Sequence, residues 1–103
     1  MISVSITCKN RQEARKIATA LLKKRLIACA NMHPMESMYW WKGKMEKSRE
    51  IVLLAKSLEK HFGKIKKEVK KLHSYQIPCI IKCKATANEE YERWVRKETK
   101  YSS

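Results

Sequence analysis

Glycine and proline are scarce, with two of each in 103 residues. So little punctuation leaves no room for a flexible linker, an internal repeat or a low-complexity stretch, and successive elements must follow one another closely. No run of 18 apolar residues exists, which excludes a membrane-spanning helix. The phosphate-binding and nucleophile-elbow patterns G-x-x-x-x-G-K, G-x-G-x-x-G and G-x-S-x-G are missing. So are a nucleophilic triad and paired catalytic carboxylates, and the expectation is that the protein is not an enzyme. There is no C-x-x-C or H-x-x-x-H pair, so no single short segment can chelate a metal ion. Acidic residues are also few: 10 against 24 basic ones, a net charge of +14. That surplus has two readings, a lysine-rich solvated surface or a face for an anionic partner.

What is present fits one domain over residues 1–103. Apolar residues make up 44% of the chain, enough for a small core whose high surface-to-volume ratio favours oligomerisation. Met1–Ile6 shows neither a basic leader nor a cleavage site and reads as a first strand, so the expected location is cytoplasmic. The four cysteines, Cys8, Cys29, Cys79 and Cys83, then read as free thiols.

Ile2, Val4 and Ile6 alternate with Ser3, Ser5 and Thr7, the period of a half-buried strand. Asn10 followed by Glu13 forms a capping-box pattern, and Ala14, Ile17, Ala18, Leu21 and Leu22 then make one apolar helical stripe. Leu26–Asn31 reads as a strand buried on both faces, interrupted near Pro34 and resumed over Met38–Trp41. Lys42-Gly43-Lys44 is a short turn with Gly43 at positive φ. The return strand is Ile51–Ala55, set apart from the turn by the charged residues Glu46–Glu50, which lie too far from the core to be buried. The hairpin tip should therefore project beyond the subunit body. Ser57 is the expected cap of a second helix, carried by Leu58, Phe62, Ile65, Val69 and Leu72. Cys79–Lys84 is the fourth strand, and Asn88 caps a last helix with Tyr91, Trp94 and Val95 facing inward. The order β-α-β-β-α-β plus a C-terminal helix is the α+β, ferredoxin-like split β-α-β sandwich, with an antiparallel sheet and a long hairpin between its second and third strands.

Four segments, Arg25–Asn31, Tyr39–Lys44, Leu72–Pro78 and Tyr91–Trp94, resemble in order and spacing the CutA family, the divalent-cation tolerance proteins. The resemblance implies a homotrimer related in architecture to PII signalling proteins, with long hairpins gripping neighbouring subunits. It also implies a role in tolerance of copper or another divalent cation, and no established catalytic activity. Cys29 stands where the family carries a cysteine and His73 where it carries a histidine. They are the candidate metal ligands, expected in a cleft between subunits. Each has a structural alternative: Cys29 as a small buried strand residue, His73 as the cap of a helix C-terminus. Cys79 and Cys83 share a strand face but stand roughly 13 Å apart, too far to hold one ion. Cys8 reads as a loop residue at the entry to a helix, His61 as a residue on a helix flank. Trp40 and Trp41 point to opposite faces of a strand and cannot form one stacking platform. With Tyr39 and Gly43 they are assigned to the oligomer interface. The alternative function is a PII-like adaptor trimer binding a small anion or a partner protein. Nucleic-acid binding through Lys60, Lys64, Lys67 and Lys71 ranks last, because no aromatics interleave that stripe.

Overall fold

The computed structural model describes residues 1–100; the last three residues of the expected domain lie outside the described ones. The strands are β1 (Ile2–Cys8), β2 (Cys29–Trp41), β3 (Lys44–Ser57) and β4 (Ile80–Lys84). The helices are α1 (Arg11–Lys23), α2 (Phe62–Leu72, entered through one 3₁₀ turn) and α3 (Glu89–Glu98). The strands form one antiparallel sheet in the order β2-β3-β1-β4. This is the ferredoxin-like arrangement. Ile2, Val4, Ile6 and Cys8 from β1 and Ile51, Leu53 and Ala55 from β3 bury one face of the sheet against Ala14, Ile17 and Leu21 of α1 and Ile65 and Val69 of α2. Burying a Leu, Ile or Val side chain contributes about 1.5–3 kcal/mol, so this layer supplies most of the folding force.

Backbone chemistry sets the joints. Asn10 Oδ1 accepts the Glu13 N–H at 2.8 Å and starts α1. The helix ends with Arg25 at φ 58°, while the Arg25 N–H reaches Leu22 O and the Leu26 N–H reaches Leu21 O. Those two bonds make a Schellman motif, which seats Leu26 and Ile27 in the core before β2 begins. The second strand thus starts later than expected, and Cys29 and Ala30 are only half-buried because β2 is an outer strand of the sheet. It also runs unbroken through Pro34, which pairs with Ile51. An outer strand tolerates a proline whose nitrogen faces away from its neighbour. Ser57 caps no helix: it closes β3 and its hydroxyl donates to Leu26 O. Asn88 holds the N-cap position of α3, but its amide donates to Glu90 and the Ala87 N–H is taken by the Glu92 carboxylate. Val95 is buried, whereas Trp94 is 41% exposed, against the inward orientation expected for it.

The hairpin is longer than its apolar pattern indicated. Thirteen residues at about 3.3 Å each span about 43 Å, close to the 44 Å long axis of the molecule. Only Ile51–Ser57 of β3 pair with β1, so Met35–Trp41 and Lys44–Glu50 form a two-stranded ribbon beyond the body. The turn is two residues long, with Lys42 at φ 50° and Gly43 at φ 78°, between the pair Trp41 and Lys44. Positive φ at both positions matches the right-handed strand twist, and it costs a residue with a Cβ about 1–2 kcal/mol. Replacing Lys42 by Asn, which tolerates that conformation, is expected to stabilise the fold by about 0.5–1 kcal/mol. A urea midpoint that does not rise would show that the turn relaxes around lysine.

Candidate metal centre and adjoining cleft

Cys8 ends β1 in register with the buried parity of Ile2, Val4 and Ile6, so its thiol points under the helices and is fully buried. It is neither a loop residue nor solvent-facing. Two residues on, the capping box of α1 turns Glu13 inward. Its Oε1 accepts the Lys9 N–H and its Oε2 the Ser74 N–H, both at 2.9 Å. Burial pushes this carboxyl up, but the bonds from Ser74 and Lys9, and the charge of His73 when protonated, outweigh burial and hold it below the usual range.

His73 stands at the C-terminus of α2, where its N–H closes the helix on Val69 O. Its imidazole, with no exposed surface, turns back across the sheet end. The Tyr75 N–H donates to Nδ1 at 3.0 Å, so Nδ1 carries no proton and Nε2–H donates to Thr7 O at 2.6 Å. Nε2 also lies 3.8 Å from Glu13 Oε1. His73 thus stands at the helix end, as its structural reading expected, and its ring joins a group of potential donors that does not include Cys29.

One ligand atom from each of Cys8, Glu13 and His73 falls within 4.8 Å of the others. Thiolate, imidazole and carboxylate together form a donor set suited to copper or zinc. Burial, then the Glu13 and Glu50 carboxylates, pushes the Cys8 thiol up to about 12. The thiol's own hydrogen bond, to Ile6 O, is 3.9 Å long, so core packing rather than hydrogen bonding holds Sγ in place. Residues adjoining the donors, Thr7 and Ser74, line a cleft of about 730 Å³ between the hairpin ribbon and the loop after α2. At its floor Glu50, 6% exposed, accepts the Tyr75 hydroxyl at 2.5 Å. Burial and that carboxylate together raise the Tyr75 phenol. Glu50 is thus buried at the ribbon base, not left in solvent as its charged surroundings in sequence suggested.

Cys29 lies elsewhere. It pairs with Lys56, whereas Cys8 pairs with Ile51, five register steps along β3 and on the strand across it, a separation of about 19 Å. Within one chain, Cys29 and His73 do not meet. Cys29 Sγ instead stands 3.1 Å from the Tyr91 hydroxyl, which this contact and burial raise to about 12. His61 is buried rather than on a helix flank, its Nε2 2.7 Å from Thr99 O at the end of α3. Tyr39 and Trp41 line the cleft, while Trp40 faces away at 72% exposure. Cys79 lines the cleft mouth, and Cys83 is exposed on β4. Among the described residues no helix is long and apolar enough to cross a membrane.

Sequence reasoning did not bring Cys8 and Glu13 into the donor cluster. The only trace was parity: Cys8 continues the Ile2-Val4-Ile6 alternation onto the core face.

A family model described as CutA1 divalent ion tolerance protein matches residues 2–98. The divalent-cation tolerance protein CutA of Pyrococcus horikoshii is 40% identical over 101 residues, covering 97% of this chain and 99% of its own. Its counterpart in Thermus thermophilus is 41% identical over 98 residues, 93% and 95% of the two chains. Among solved structures, CutA1 from Pyrococcus horikoshii superposes with a TM-score of 0.93 at 39% identity, over 97% of this chain and 99% of that one. The Archaeoglobus fulgidus protein, described as a periplasmic divalent cation tolerance protein CutA, reaches 0.94 at 34% identity, over 97% and 100%.

Proposed function

The chain belongs to the CutA1 divalent ion tolerance family, and from that premise we propose that it binds a divalent transition-metal ion, copper or zinc, through Cys8, Glu13 and His73. The observation that carries this reading is the three unlike donors within 4.8 Å of one another beside an open cleft. The bound ion would draw the proton from the thiol, and the imidazole proton of His73 would move from Nε2 to Nδ1, so that His73 gives up both its bond to Thr7 O and its acceptance of the Tyr75 N–H when Nε2 takes the ion. The protein's part is to hold three donors ready in a water-poor site and so lower the free concentration of the ion. Cytoplasmic residence belongs to this proposal and not to the family, given the periplasmic description of the Archaeoglobus relative.

The proposal extends to a homotrimer. A two-stranded ribbon alone is marginally stable in water and needs a surface to lie on. Met38, Trp40 and Met45, at 65%, 72% and 59% exposure, share one face of it. Trp40 is the anchor for a neighbour; Tyr39 and Trp41 turn to the cleft instead, and Gly43 serves the turn. Pairing of Cys29 with His73 then requires two subunits. The alternative anionic ligand finds no support in the cleft, whose lining includes Glu36 and Glu50 but no Lys or Arg.

Titration calorimetry with Cu²⁺ and Zn²⁺, alongside light scattering, tests the assignment. One ion per chain is expected, three per particle. Cys8→Ala and His73→Ala are each expected to weaken binding at least 100-fold, and Cys29→Ala to leave it unchanged. The reverse pattern, loss with Cys29→Ala and none with Cys8→Ala, would move the site to the subunit boundary.

A further inference from the structure

The cleft beside the metal centre has its own chemistry. Its volume, about 730 Å³, lies within the range of small-molecule sites. Its walls carry three aromatic rings, from Tyr39, Trp41 and Tyr75, and two carboxylates, from Glu36 and Glu50. No Lys, Arg or His lines it, in a chain where 24 of 103 residues are Lys or Arg. A cavity acidic and aromatic inside a strongly basic protein repels anions and attracts cations. Aromatic faces bind ammonium groups through the ring quadrupole, and most strongly when the group is desolvated. One such contact is already present: the Lys42 ammonium stands 5.8 Å from the centre of the Trp41 ring. The Glu50 carboxylate at the floor is buried and fixed by Tyr75, so it offers negative charge without reorganising.

We infer that the cleft is a binding site for an organic cation, an ammonium group carrying an apolar body, held between the Tyr39, Trp41 and Tyr75 rings with Glu36 and Glu50 as counter-charges. The ammonium lies against the rings and carboxylates, and the apolar body against Ile77 at the cleft wall. A bare divalent ion uses none of the aromatic surface, so this site is separate from the three-donor centre and stands whether or not that centre takes metal. It is compatible with assembly through Trp40, which lies on the opposite face of the ribbon.

The test is titration of the metal-free full chain, in its native assembly, with hexylammonium, benzyltrimethylammonium and hexan-1-ol, followed by calorimetry. Both cations are expected to bind at least tenfold more tightly than the alcohol, which has the same apolar body as hexylammonium without its charge. Glu36 is exposed, so Glu36→Gln is expected to fold normally and weaken the cations about fivefold with no effect on hexan-1-ol. Lys42→Ala, which frees the Trp41 ring from the Lys42 ammonium, is expected to leave the cations at least as tightly bound. Trp41→Leu is expected to abolish selectivity for the cations; native mass by light scattering separates that from lost assembly. Equal binding of alcohol and cation overturns the proposal, as does full affinity in both Glu36→Gln and Trp41→Leu. A crystal structure of the assembly with a neighbour's chain filling the cleft also overturns it.

Discussion

Glu13→Ala is expected to destabilise the fold by about 2–4 kcal/mol, a large share of the roughly 5–15 kcal/mol that holds a small domain together. The carboxylate serves three places at once. It caps the α1 entry through the Lys9 N–H, ties the loop after α2 through the Ser74 N–H, and stands 3.8 Å from the His73 imidazole. Hydrogen bonds to a charged group contribute about 1.5–3 kcal/mol each. Both amides belong to exposed residues that water can reach once the side chain is gone, which keeps the total below the sum. Glu13→Gln is expected to lose about half as much, because the amide oxygen can replace one acceptor while its NH₂ faces a donor. Urea unfolding measures both; a loss under 1 kcal/mol in the alanine variant would show that water substitutes for the carboxylate. The sign with pH follows from the depressed carboxyl. Its contribution is complete above the ordinary carboxylate range near 4.5 and disappears as pH falls through the lower folded value. The raised Cys8 thiol acts at the other end. Its contribution is complete below the ordinary thiol value near 9 and is lost as pH rises toward about 12.

Metal affinity is expected to rise about tenfold per pH unit between pH 6 and 8. Binding requires the Cys8 thiolate, while burial, followed by the Glu13 and Glu50 charges, pushes the thiol up to about 12. Across this range the metal-free thiol is protonated, so each bound ion releases one proton, and mass action gives the slope. Over two pH units the gain is about 100-fold. Calorimetry in buffers of different ionisation enthalpy counts the proton directly. A flat affinity with no proton released would mean that Cys8 is not a ligand. In Cys8→Ser the steep slope should disappear along with most of the affinity, since a serine hydroxyl does not ionise there.

The layers of the fold were legible because each rests on local periodicity. The two-residue alternation of Ile2, Val4 and Ile6, and the 4-3-4-3 spacing through Leu58, Phe62, Ile65, Val69 and Leu72, report which side of an element is buried whatever it packs against. Errors gathered at ends and edges. Ser57 has the chemistry of a cap, but the strand it closes continues to it, and its hydroxyl is taken by Leu26 O. Pro34 looked like a break because the local pattern does not say that β2 is the outer strand. Trp94 fits an inward stripe, yet it stays 41% exposed, with its ring against that of Tyr91.

The candidate site was half legible. His73 stood out through the family motif. Glu13 was read only as a capping residue, and Cys8 as a loop thiol. Sequence by itself determined the element order, the core parity, the family and the projecting hairpin, because these depend on neighbours a few residues apart or on motifs in order. Only the tertiary structure decided that Cys8, Glu13 and His73 share one place while Cys29 lies about 19 Å away across the sheet. The physical reason is the antiparallel register. It brings the end of β1, the start of α1 and the end of α2 to the same end of the sheet, joining Cys8 to His73 across 65 positions of the chain. No local pattern carries that register.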